Sequence, residues 1–329
     1  MPVSTTPIPD LYLHQIGSES TWGTPVAQTA RLGLVEELEF SPELEAMNLA
    51  DRRASLAPGY VAALLKSSGT AKMKGICTYQ DMPYWQDALF GIATPGGANP
   101  YTRDYIGALG TIPTRRIFTL VKGQSAPFSH IYGLNGAVLS EMSIKIETGQ
   151  PWMYDLSFIG KNYTTDTIDS LSDRTQAPIL STETSLFIDA VGGTIGTTAV
   201  TSLWMSAEIN IKSNAETHFG IGALAPTGFH ESKWEATMKL TLEVDTTTKA
   251  MLDSIIGSSL LQKQIRISAT TGASAICRFD MGGSFLSAPK ITTDSDGVST
   301  FEFEFTSIYN SALGNFVKSH TTNAVSALP

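Results

Sequence analysis

The chain has 329 residues, 42% of them hydrophobic, which is enough for two domains of ordinary size, each with its own core. Only 16% are charged, against roughly 25% in typical soluble proteins, and the formal net charge is −9. That balance excludes a module that holds nucleic acid by neutralising phosphates, and two cysteines, Cys77 and Cys277, exclude a disulfide framework or a cysteine metal cluster.

Residues 1–30 carry Pro2, Pro7, Pro9 and Pro25 and read as an irregular arm. They lack the basic segment and apolar run of a signal peptide, and nowhere does an apolar run approach the roughly 18 residues that cross a bilayer. Residues 31–40 alternate as a first strand. Residues 41–70 form a long excursion rich in Ala and Leu, interrupted by Pro42, Pro58 and Gly59. A strand at 71–79 leads into a short helix at 82–90, closed by Gly91. The Gly- and Pro-rich stretch 92–115 reads as an inserted surface loop, followed by strands at 116–122, 128–133, 137–147 and 151–160.

Residues 166–202 are a linker rich in Thr, Ser, Asp and Gly, with a short strand in SLFIDAV. Strands then fall at 203–212, 234–245, 264–270, 275–280, 283–293 and 299–309, with a helix at 247–256. The turn DSDG at 294–297 places Gly297 where φ is positive. Residues 311–329 read as a polar arm.

The two halves resemble each other. Without a gap, Tyr132 meets Phe279, Gly136 meets Gly283 and Ile144 meets Ile291, and then Tyr154, Leu156 and Phe158 meet Phe301, Phe303 and Phe305. The last three pairs recur with period two, so they mark one face of one strand. Farther upstream, Asp87 and Gly91 meet Asp253 and Gly257, and Leu38 and Phe40 meet Ile209 and Ile211. The resulting organisation is an arm (1–30), a first unit (31–165), a linker (166–202), a second unit (203–310) and a C-terminal arm (311–329).

Catalytic patterns are missing: the sequence holds no GxSxG, HExxH, Walker A or GxGxxG, and its five histidines are scattered. The stretch 164–173 has carboxylates but neither the glycine nor the terminal glutamate of a calcium loop. Asp87 and Asp253 match between halves, and each reads as the polar outer face of a short helix. No enzyme, cofactor or metal is expected.

The run Glu19-Ser20-Thr21-Trp22-Gly23-Thr24-Pro25-Val26-Ala27 resembles the opening of the major tail tube proteins of long-tailed bacteriophages. ARLGLVEELEF, the helix YWQDALFG, the strand junction NGAVLS and WMYDLSFIGK follow in that family's order. The resemblance covers most of residues 10–165 and, through the repeat, 203–310. It implies a mainly β chain of two tandem tail-tube-like barrel or sandwich domains, each with one short packed helix, plus extended loops and arms.

The resemblance also implies pseudo-sixfold rings of three chains, stacked into a tube through which DNA leaves the virion. Its implied partners are copies of itself, the tape measure, terminator and baseplate proteins, and DNA in transit. Assembly in the host cytoplasm and location in the virion tail go with it, without membrane insertion. The wet strand faces then line the lumen through Glu37, Glu39, Asp155, Glu243, Glu302 and Glu304, with Lys145, Lys212 and Lys239 among them. Ring stacking falls to Trp22, Leu44, Leu49, Tyr60, Leu64, Tyr101 and Tyr105. The competing readings are another ring-forming tail protein (a terminator or baseplate hub) and a carbohydrate- or receptor-binding β-sandwich. Five dispersed tryptophans count against the latter.

Overall fold

A computed structural model describes residues 8–49, 61–126, 129–201, 204–256, 261–272, 274–293 and 297–328. The strands of the first half are β1 (Leu13–Glu19), β2 (Ala30–Leu32), β3 (Val35–Leu49), β4 (Val61–Ile76), β5 (Tyr101–Ile106), β6 (Ile117–Gln124), β7 (His130–Glu147), β8 (Met153–Gly160) and β9 (Asn162–Thr165). The linker supplies β10 (Thr184–Ala190). Then come β11 (Trp204–Lys212), β12 (Ala215–His218), β13 (Gly228–Glu231), β14 (Glu235–Glu243), β15 (Leu261–Thr271), β16 (Ala275–Phe285), β17 (Lys290–Thr293), β18 (Ser299–Ser307) and β19 (Val317–Asn323). Two α-helices occur among the described residues, α1 (Met82–Phe90) and α2 (Thr246–Ile256).

The fold is mainly β, with two sandwich-like units in tandem and one short helix in each. One long antiparallel sheet runs through both, in the order β3-β4-β8-β7-β11-β14-β18-β17. Against it stand two outer layers, β2-β1-β6-β7-β9 and β10-β15-β16-β19-β5. β7 belongs to both layers of the first unit. It turns from one to the other at Gly136, whose φ of 68° suits a residue without a Cβ.

Alternation makes the core. Tyr154, Leu156 and Phe158 in β8, and Phe301, Phe303 and Phe305 in β18, are all buried, as the period-two pattern predicts. Trp85 of α1 fills the first core, its ring 6.0 Å from Phe118 of β6 and 5.7 Å from Tyr154 of β8. Phe285 packs against Phe303 and Phe305 at 5.5 and 5.1 Å in the second. Pro83 opens α1, where its missing N–H costs nothing, and Gly91 with φ 107° ends it. Gly297 has φ 83°, as the DSDG turn requires.

Several sequence expectations need correction. The arm 1–30 contains β1, whose seven residues pair with β6. The C-terminal arm contains β19, which pairs with β16 on one side and β5 on the other. β5 itself lies in the stretch expected to be a surface loop. Residues 41–70 are not an excursion from the sheet: their described part continues β3 and β4 as a hairpin, and Pro42 is tolerated there because β3 pairs on one side only among the described residues.

The strands 128–133 and 137–147 are one strand, β7, and 283–293 is two, β16 and β17. Asp87 is not on an outer helix face. It is buried and accepts from Tyr105 Oη (3.0 Å), Arg116 Nε (3.1 Å) and Ala93 N (3.2 Å), holding the 92–116 segment to α1. Its counterpart Asp253 is exposed and pairs with Lys249 at 2.7 Å.

Candidate functional site

The long sheet buries one face and leaves the other wet. Because directly opposed residues share a face, the register fixes what lies side by side. One row runs Glu37, Lys74, Asp155, Ser143, Asn210, Thr237 across β3, β4, β8, β7, β11 and β14. Another runs Lys145, Glu208, Lys239, Glu304 across β7, β11, β14 and β18. Glu302 faces Thr241, Glu243 faces Thr300, and Glu39 faces Lys72. The six acids expected on wet strand faces therefore share one face, and Lys145, Lys212 and Lys239 share it with them.

The sequence reading missed other members of this face, among them Lys72, Lys74, Glu141, Glu208 and Glu235. Alternation along 71–76, 141–147, 204–212 and 235–243 carries their signal, but only the cross-strand register shows that they adjoin. Opposite charges meet repeatedly: Lys74 Nζ lies 3.6 Å from Glu37 and 3.9 Å from Asp155, and Lys212 Nζ lies 3.1 Å from Glu141. Asn210 Nδ2 donates to Glu141 at 2.6 Å, and Ser143 Oγ donates to Glu208 at 3.3 Å. Most lysines here are matched by a neighbouring carboxylate, while acids outnumber them. The result is a smooth, mixed, mildly acidic surface rather than an anion-holding one.

A second feature is the β3–β4 hairpin, which carries paired strands beyond the body of the sheet. Its described end is exposed on both faces, and Leu44 (66% exposed) and Leu64 (47%) lie on it. Its root is braced from the second half: Ser67 N donates to Leu224 O at 2.8 Å, and Lys66 Nζ sits 5.4 Å over the Phe219 ring. The backbone of Leu49 lies in this hairpin, and Tyr60 falls outside the described residues.

The remaining residues expected to stack rings are committed elsewhere or only partly free. Tyr105 is 2% exposed and bound to Asp87, so it has nothing to offer another ring. Trp22 is half-buried. Its Nε1 donates to Gly136 O at 2.9 Å, its ring tilts onto Phe229 at 5.7 Å, and Lys161 Nζ lies 5.2 Å over it. Tyr101 is half-buried on β5.

The charged groups that fold the chain are internal. Arg115 donates to Glu231 at 2.8 Å and to Leu139 O at 3.0 Å while stacking on Trp234, and burial lowers its pKa to about 10 against the opposing pull of Glu231. Burial likewise lowers the Lys122 pKa, with Glu39 and Glu37 pulling the other way. No group of three or more His, Cys, Asp or Glu among the described residues is placed to hold a metal. A family model described as "Phage tail tube protein" matches residues 15–307. No curated protein matches the chain.

Proposed function

Since this chain belongs to the phage tail tube protein family, a structural family of the virion tail, we propose that three copies close into a pseudo-sixfold ring and that rings stack into the conduit for DNA ejection. The observation that carries this reading is the wet face of the long sheet. It runs unbroken through both halves, and among the described residues its sheet ends in a strand paired on one side only at each edge. An open edge is a template for a further strand, and closing the sheet on itself removes it.

Glu37, Glu39, Asp155, Glu243, Glu302 and Glu304 then face the channel. An acid excess repels phosphate, and the interleaved lysines sit beside carboxylates, Lys74 and Lys212 in ion pairs and Lys72, Lys145 and Lys239 opposite Glu39, Glu208 and Glu304. Leu44 and Leu64, on the projecting hairpin, supply the contact between stacked rings. An exposed two-stranded ribbon with apolar side chains gains little by standing alone in water. The tape measure protein inside the tube, and the terminator and baseplate at its ends, are the further partners of this role.

Negative-stain electron microscopy of the purified chain over a concentration series tests the reading. Hollow tubes or stacked rings with three- or six-fold end views are expected. Discrete rings that never stack would move the assignment to a terminator or hub.

A further inference from the structure

The two outermost strands of the long sheet each lack a partner on one side among the described residues. β3 pairs only with β4, and β17 only with β18. The main chain shows which atoms those edges present. Lys122 Nζ, from β6, donates to the Leu38 carbonyl at 2.6 Å, an oxygen that β4 leaves free. On β18, Val244 N donates to Ser299 O, so by alternation Phe301 faces β14 while Thr300 and Glu302 face β17. Glu302 is opposite Lys290. The N–H and C=O of Ile291 therefore point away from β18, into the open edge.

A closed version of the same junction exists inside the chain. Phe40, Ala71 and Phe158 form one row across β3, β4 and β8, while Ile209, Met238 and Phe305 form the matching row across β11, β14 and β18. Ile144 faces Tyr154 as Ile291 faces Phe301. Thus β11 stands where β3 stands, and β17 where the end of β7 stands. β7 and β11 are paired, with Ile144 opposite Ile209, and both side chains are 0% exposed. Ile291 is 64% exposed and Phe40 only half-buried, beside a cleft lined by Leu38, Lys122, Tyr132 and Tyr163.

We infer that β17 of one copy adds to β3 of the next in the register of the internal β7–β11 seam, Ile291 opposite Phe40 and Lys290 opposite Ser41. The inference rests on the tube reading and supplies its lateral contact. Ile291 is then buried over Phe40 as Ile144 is over Ile209. One bonded position farther along, Pro42 meets Pro289. Neither has an N–H, so the ladder stops there.

The test is the double variant Ser41→Cys/Lys290→Cys of the full chain, concentrated and oxidised. Both positions are exposed in the protomer, and the native Cys77 and Cys277 are buried. By the seam register the new pair is a non-hydrogen-bonded one, with Cα atoms about 4.5 Å apart and within disulfide reach. Covalent dimers and higher multimers on non-reducing gels, lost on reduction and missing from either single variant, are the expected result. Glu37→Cys/Lys290→Cys, displaced by about 13 Å along the strand, should give none. Rings or tubes in micrographs of the first variant without its cross-link would overturn the seam and leave the tube reading standing. A chain that stays monomeric at every concentration, with no cross-link, would overturn both.

Discussion

Glu19 is buried, and its carboxylate accepts from the backbone of Gly23 (2.7 Å) and Gly136 (2.7 Å) and from Thr119 Oγ1 (2.8 Å). It fixes the turn that presents Trp22 to Gly136, and with it the point where β7 changes layers. Burial raises its pKa, and the three donors only partly offset that. Glu19→Ala strands those donors and should cost about 2–4 kcal/mol in chemical denaturation. His14 on β1 behaves oppositely: burial first, then the charge of Lys122, lowers its pKa to about 4. Between its ordinary 6.5 and that value the unfolded chain binds the proton and the folded chain does not. Stability therefore falls as pH drops through this window, and His14→Gln should remove on the order of 1–2 kcal/mol of the loss between pH 7 and 4.5. The Trp22-Gly23 motif was legible in the sequence. Its partner Gly136 was not, because nothing local marks a contact 114 residues away.

Elements with strong alternation, such as β8 and β18, and the two glycine-bounded helices were readable from pattern alone. Register was not. Leu38 and Phe40 look equally well matched to Ile209 and Ile211, yet the ladders set Phe40 against Ala71 as Ile209 is set against Met238, so Leu38 stands where Ala207 stands. A slip of two residues keeps every side chain on its face, and the sequence has no means of detecting it. The terminal strands β1 and β19 escaped notice because each is held by distant partners; Asn323 Nδ2, for example, donates to Tyr79 O at 2.6 Å. Deleting residues 311–329 should therefore abolish the cooperative unfolding transition rather than trim an arm, as scanning calorimetry would show. The β3–β4 hairpin predicts the reverse pattern. Leu44→Asp with Leu64→Asp should leave protomer stability within about 0.5 kcal/mol while shortening tubes or yielding single rings in micrographs.

Over the whole molecule, the proposed tube makes the wet face the surface that its cargo meets. Glu302→Lys with Glu304→Lys places two further cations on the wet face, one opposite Lys290 and the other opposite Lys239. Particles carrying it should assemble normally and eject DNA more slowly, with the delay relieved by added salt. Normal ejection kinetics at low salt would place that face outside the channel. The six acids were legible as wet strand positions. Their assembly into one surface was not, since it depends on β7 and β11 pairing across the two halves.

That internal β7–β11 pairing also constrains counting. A protein made of single units can close with any number that its curvature tolerates, including a wrong one. In the proposed ring each added chain brings two units already joined through β7 and β11, so every closed circuit of such chains contains an even number of units. Half of its joints are made during folding of one chain, at a rate independent of concentration. Only the other half must be found by collision, which halves the encounters in which assembly can go astray.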